Sequence, residues 1–183
     1  PGFLFEDPEV REELALYYSS VRRADDCLNE VLKALRKSGQ WENTMIVFLS
    51  DHGMPLPFAK TQLYHHSTHT PLMVRLPGIT QAGKVEKRHM VSVLDLLPTV
   101  LDSLGIPKPK RLDGRSFLPL LRGEKQENRD YVIKEYNENA GRSRDPMRGI
   151  QTKTHLFLFN PWSNGERVFA TATNGTVMIL INF

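Results

Sequence analysis

The stretch Thr44-Met45-Ile46-Val47-Phe48-Leu49-Ser50-Asp51-His52-Gly53 reads as a strand that ends on two polar side chains. Thr44 to Leu49 is continuously apolar rather than alternating, is rich in β-formers, and has turn residues at both ends. That pattern predicts a strand buried on both faces. Gly53, Pro55 and Pro57 follow, so the chain is expected to leave the sheet and loop. Open α/β sheets place ligands beyond the carboxyl ends of their strands, which makes Asp51 and His52 the first candidates for a site. A carboxylate and an imidazole emerging together can hold a divalent cation. The plainer reading is a capping aspartate beside a surface histidine. A hard cation such as Ca2+ takes about six or more oxygens. Asp25, Asp26, Asp95 and Asp113 have no spacing that groups them with Asp51.

Upstream, Asp7-Pro8-Glu9 reads as a helix start: a capping side chain, a proline at the first helical position, and an acid at the positive end. Val10, Leu14, Tyr17, Val21, Ala24, Leu28, Val31 and Leu35 then recur in alternating steps of four and three, one stripe of a helix expected to cover the core. Gly39 is the expected stop. Cys27 lies beside the stripe, has no activating neighbour, and reads as structural.

Downstream, Pro71 to Leu76 reads as a second short strand, closed by Pro77-Gly78 and paired with the first directly or through a crossover. Gln81 to Lys87 is polar and expected to be exposed. Ser92 to Leu104 reads as a helix with Ser92 as N-cap and Asp95 at the capping-box position. Its expected apolar face is Val93, Leu96, Leu97, Val100, Leu101 and Leu104, and Pro98 suggests that its first turn is separate. Leu112-Asp113-Gly114-Arg115-Ser116 is a turn, followed by a short apolar element from Phe117 to Leu121. Tyr131 to Tyr136 reads as a strand, Asn137 to Pro146 as an exposed loop, and Met147–Thr152 with His155–Phe159 as a hairpin. Asn174-Gly175 predicts a second hairpin between residues 168–173 and 176–181.

The 183 residues correspond to one domain, or to one and a small lobe, at about 150 residues per domain. With 40% hydrophobic and 25% charged residues the composition is that of a globular protein, not of a disordered chain, a collagen or a coiled-coil rod. No run approaches the about 18 apolar residues of a membrane helix, so no membrane partner is expected. One cysteine excludes an internal disulfide framework and a multi-cysteine metal site. The net charge of +3 predicts a mixed, solvated surface, and without an RNA-binding or zinc-finger signature no nucleic-acid partner is expected. Pro1-Gly2-Phe3-Leu4-Phe5 has neither a starting methionine nor a basic n-region. The expectation is an interior part of a longer protein, with no targeting segment in this stretch.

Two further groups could bear chemistry. Lys60, nine residues after Asp51, could hold an anionic oxygen as a point charge; by itself it reads as a surface lysine. His65, His66 and His69 have no known zinc spacing and read as surface or packing residues, or as substrate contacts. Lys108–Arg111 and Arg142–Arg148 read as solvated basic loops.

Taken in order, these pieces resemble the C-terminal portion of a sulfatase, within the alkaline-phosphatase-like superfamily. The likeness runs from Pro8 to Gly175. Tyr17-Tyr18 with Arg23-Ala24-Asp25-Asp26 comes first, then Gly39, Asn43-Thr44 and Ser50-Asp51-His52-Gly53-Met54. Lys60-Thr61-Gln62-Leu63-Tyr64, Thr70-Pro71-Leu72-Met73-Val74-Arg75 and Pro77-Gly78 follow. Asp95-Leu96-Leu97-Pro98-Thr99-Val100-Leu101, Leu112-Asp113-Gly114-Arg115-Ser116 and Leu118-Pro119-Leu120-Leu121 complete the set. The loop from Gly53 to Lys60, and Asn160-Pro161-Trp162-Ser163, look most like the branch containing heparan N-sulfatase.

The resemblance implies a partial α/β sulfatase fold over residues 1–125, its helices packed on a buried sheet. A small antiparallel sheet subdomain is implied over residues 126–183. It implies hydrolysis of sulfate esters or sulfamates, with a sulfated carbohydrate or an aryl sulfate as substrate. Asp51 and His52 match the pair at the metal, usually Ca2+ or another divalent cation; many relatives have Asn where this chain has His52. Lys60 matches the basic catalytic residue that contacts the sulfate. His65, His66 and His69 match no fixed motif and are candidates for substrate binding only.

The family's formylglycine nucleophile arises from Cys or Ser followed by x-Pro-x-Arg, and no such motif occurs here. Cys27 is followed by Leu28-Asn29-Glu30-Val31, and Arg144-Asp145-Pro146-Met147-Arg148 has arginine at the nucleophile's place. The early Asp-Asp ligands, the upstream acid/base histidine and the Asp-Pro-x-Glu segment are likewise not found. The chain alone is therefore expected to be inactive, with an N-terminal half of the same enzyme as its partner. Self-association is expected through an uncovered strand. The family implies an extracytoplasmic home, whether periplasmic, secreted or lysosomal. The alternatives are a phosphodiesterase or phosphonate hydrolase of the same superfamily, and a non-catalytic glycan-binding module.

Overall fold

The computed structural model describes residues 7–56, 59–138 and 144–166. The chain divides into two compact units whose described parts are residues 7–45 and 46–166.

The first unit is built on α1 (Pro8–Lys37). Asp7 caps it, its Oδ1 accepting from the Glu9 N–H at 2.8 Å. Arg36 and Lys37 occupy the last turn, where the negative end of the helix favours cations, and Gly39 follows at φ +76°. The Arg36 guanidinium sits 4.0 Å from the centre of the Trp41 ring, which stacks the helix end on the short 3-10 turn Trp41–Asn43. The expected stripe is present as a helix face. Val10 is the buried residue of α1, whereas Val21 and Val31 are exposed. Periodicity specifies a helix with an apolar side; burial needs a second surface against that side.

The second unit contains two antiparallel sheets. β1 (Ile46–Leu49) pairs directly with β2 (Leu72–Arg75), Ile46 opposite Arg75 and Leu49 opposite Leu72. The buried-strand expectation for residues 44–49 is corrected here: Phe48 and Leu49 are 37% and 39% exposed. Among the described residues this sheet has two strands, which leaves β1 the uncovered strand expected of an interior part of a longer protein. The second sheet has the order β3 (Val132–Glu138), β4 (Arg144–Gln151), β5 (Leu156–Phe159). It is the small antiparallel C-terminal sheet that the sequence implies, and the Met147–Phe159 hairpin lies within it. The loop assigned to Asn137–Pro146, and the basic loop Arg142–Arg148, are corrected at their ends. β3 runs to Glu138 and β4 starts at Arg144, with Asp145 and Met147 facing inward. Alternation hides one face of this charged strand, which a composition-based reading takes for a loop. The hairpin expected around Asn174-Gly175 lies outside the described residues.

Between the sheets, a 3-10 turn (Val93–Asp95) leads into α3 (Leu96–Ser103), which is the separate first turn that Pro98 predicts. The buried side of this element is not the expected apolar face. Val93, Leu97 and Leu104 are exposed, while Asp95, Pro98 and Thr99 are buried. Asp95 is the centre of a polar knot. Its carboxylate accepts from Ser92 N at 2.8 Å, Arg115 N at 2.9 Å and the Arg129 guanidinium at 2.7 Å. Thr99 Oγ1 donates to Asp95 O and accepts from Phe117 N, which seats α4 (Leu118–Arg122) against α3. No helix among the described residues is long and apolar enough to cross a membrane.

Candidate active site

β1 ends at Leu49 and delivers Asp51 and His52 into the turn that follows. The Asp51 side chain is 84% exposed, and its Oδ1 accepts the His52 backbone N–H at 3.0 Å. His52 Nδ1 lies 2.8 Å from Gly53 O. A carbonyl only accepts, so Nδ1 carries the proton and Nε2 of the neutral ring keeps its lone pair. That lone pair is 3.5 Å from Asp51 Oδ2. Two lone-pair donors facing each other across this gap fit two positions in the shell of a divalent cation. Among the described residues no group of three or more His, Cys, Asp or Glu side chains could hold a metal, so the donor set here is a partial one.

Gly53 joins this turn to α2 (His65–Thr68). Its N–H donates to Ser67 O at 2.7 Å, and a Cβ at position 53 would lie 1.9 Å from His66 O. Only glycine permits that approach. The helix is held in turn by Ser67, which is buried and whose hydroxyl donates to Gln62 O at 2.5 Å. The loop between β1 and α2 thus folds back on the strand end, with Lys60 N donating to Met54 O at 3.1 Å and Lys60 half-buried. Thr61, next to Lys60, has φ +63°, a conformation that a β-branched residue adopts only where its surroundings impose it, as they often do beside functional groups.

The histidines come together as a cluster on and beside α2. The rings of His65 and His69 stack at 4.5 Å and 17°, and His66 meets His65 edge-on at 5.8 Å. Burial, then the neighbouring His69, holds His65 below the ordinary imidazole pKa. His65 is also tied to the C-terminal sheet: Gln151 Nε2 lies 2.9 Å from its Nδ1. Gln151 Oε1 in turn accepts from Lys134, whose Nζ also reaches Leu63 O at 3.5 Å. Lys134 is 8% exposed, and burial lowers its pKa to about 8. Lys134 and Gln151 were not singled out from the sequence. The one hint is that Lys134 stands at an inward position of an alternating strand, between exposed Ile133 and Glu135.

The sulfatase family model matches residues 4–106, and the chain belongs to that family. Human N-sulphoglucosamine sulphohydrolase is 39% identical over 170 residues, covering 87% of this chain and 33% of the human protein. Among solved structures, the phosphonate monoester hydrolase of Agrobacterium radiobacter superposes with a TM-score of 0.67 at 28% identity, over 80% of this chain and 32% of its own. A 2-O GAG sulfatase superposes with a TM-score of 0.62 at 30% identity, over 71% of this chain and 30% of its own. The fold is therefore the alkaline-phosphatase-like sulfatase fold, represented in part. The chain spans a third or less of the length of each of these relatives.

Proposed function

We propose that this chain supplies one side of the active site of a sulfatase acting on a sulfated carbohydrate, with O- or N-sulfate as the bond cleaved. The observation that carries this reading is the Asp51–His52 pair at the end of β1, with the His52 lone pair freed by the bond to Gly53 O. Asp51 Oδ2 and His52 Nε2 would hold a divalent cation, Ca2+ by family likeness. Such a cation supplies fixed positive charge where oxyanion charge develops. Lys60 would be the sulfate-contacting group, a point charge for an anionic oxygen carried on a loop whose backbone bonds back to Met54 O. His65, His66 and His69 offer ring nitrogens to the sugar or its sulfate. The formylglycine nucleophile and the remaining metal ligands belong to the rest of the protein, so the 183-residue chain alone turns over no aryl sulfate. The family reading would place a division near residue 125 between the family core and the C-terminal sheet, although residues 46–166 lie in one compact unit. An extracytoplasmic or lysosomal setting follows from the family reading.

The test is Asp51→Asn in the complete enzyme. Loss of sulfatase turnover by about 100-fold or more with little change in melting temperature is expected; retained turnover defeats the reading. The likeness to a phosphonate monoester hydrolase supports a second reading within the same superfamily. Turnover of phosphonate monoesters well above that of sulfate esters by the complete enzyme would select it.

A further inference from the structure

The contact between the C-terminal sheet and α2 has a direction built into it. A lysine ammonium can only donate, so the Gln151 atom facing Lys134 must be the carbonyl oxygen. The Gln151 amide nitrogen then faces His65 Nδ1, and as it can only donate, Nδ1 must accept. The proton of the neutral His65 ring is thereby placed on Nε2. That nitrogen has no partner among the described residues, and His65 is exposed.

We propose that Lys134 and Gln151 are positioning residues that lock His65 in one tautomer, so that Nε2–H is a ready donor to an anionic sulfate oxygen of the substrate. The identity of that anion rests on the sulfatase reading above; the locking of the ring does not.

Three observations agree with a fixed donor. Lys134 is buried where it can reach little besides Gln151 and Leu63 O, so its charge is committed to orienting the amide. His65 is biased toward the neutral ring by partial desolvation on the side facing Gln151 and then by His69, so its tautomer is what decides its hydrogen bonding. The stacked His69 ring restrains the His65 plane. A neutral donor of fixed direction discriminates by geometry, complementing the less directional ammonium of Lys60.

The experiment is NMR of the complete enzyme with 15N- and 13C-labelled histidine at neutral pH. Wild type is expected to show His65 with the proton on Nε2. In Gln151→Glu the carboxylate can only accept, and the proton of the neutral ring moves to Nδ1. In Lys134→Met the amide is free to turn over, and both tautomers become populated. Preserved amide signals from β3 and β4 verify the fold of each variant. Sodium sulfate is then titrated: saturable shifts of the His65 ring signals are expected, weakened about fivefold or more in Gln151→Glu, the size of one hydrogen bond. A wild-type proton on Nδ1, or a tautomer unchanged in both variants, overturns the proposal. So does a His65 ring that sulfate leaves unmoved. Because the tautomer is read without substrate or cation, failure of the sulfatase reading shows up separately, in the Asp51→Asn experiment.

Discussion

Replacing Gly53 by alanine tests how the candidate site is held together. The added Cβ would meet His66 O at 1.9 Å, His66 C at 2.9 Å and Ser67 Cα at 3.0 Å, all of them backbone atoms that cannot rotate aside. Reaching ordinary contact needs a retreat of about 1.5 Å between the Asp51-His52-Gly53 turn and α2. The helix is anchored by buried Ser67 and by the Gln151–His65 contact, so the turn is the part that yields. Overpacking of this kind costs about 1–3 kcal/mol. The strained or lost Gly53 N–H to Ser67 O bond adds about 0.5–1.5 kcal/mol. Gly53→Ala should therefore lower stability by about 1.5–4.5 kcal/mol, read as a lower urea midpoint at unchanged slope. In the complete enzyme the same displacement of Asp51 and His52 should reduce kcat by about 100-fold, the effect of misplacing a catalytic group by about 1 Å. Stability within about 0.5 kcal/mol of wild type, the range of an inert surface change, would refute the reasoning, as would full activity.

Asp95→Ala removes the acceptor for two backbone N–H groups and the partner of Arg129, and should cost about 3–5 kcal/mol in urea denaturation. Asp95→Ala combined with Arg129→Ala should cost less than the two separately, because the second change removes the stranded charge. Glu86 is held down to about 2, first by the Arg88 backbone N–H and then by His89; its contribution to stability is full above the ordinary carboxylate value of 4.5 and fades as pH falls toward 2. Glu86→Gln should flatten the melting-temperature profile across that window. Lys134 behaves in the opposite sense: its pKa is about 8 in the fold against an ordinary 10.5, so the unfolded chain binds more protons between these values and stability rises with pH there. Thermal melts of Lys134→Met should lack that rise.

The local elements were legible because their causes are local. The cap at Asp7, the stop before Gly39, the capping-box Asp95 and the separate turn before Pro98 each depend on residues within a few positions of one another. The Asp51–His52 pair was legible for the same reason, as two polar residues ending an apolar run. Burial was not. Asp95, Thr99, Lys134 and Asp145 are buried against their type. A side chain's polarity states what burial would cost, and whether that cost is met depends on partners far away in the chain.

The sequence by itself determined the family, the order of the helices and strands other than α2, and the residue types at the end of β1. Tertiary structure alone decided that Gly53 touches the backbone of α2, that the three histidines cluster, and that a lysine about seventy positions after His65 orients that ring through Gln151. The physical reason is that hydrogen-bond direction and close contact are properties of atoms brought together across the fold, and no periodicity in the chain encodes which pairs will meet.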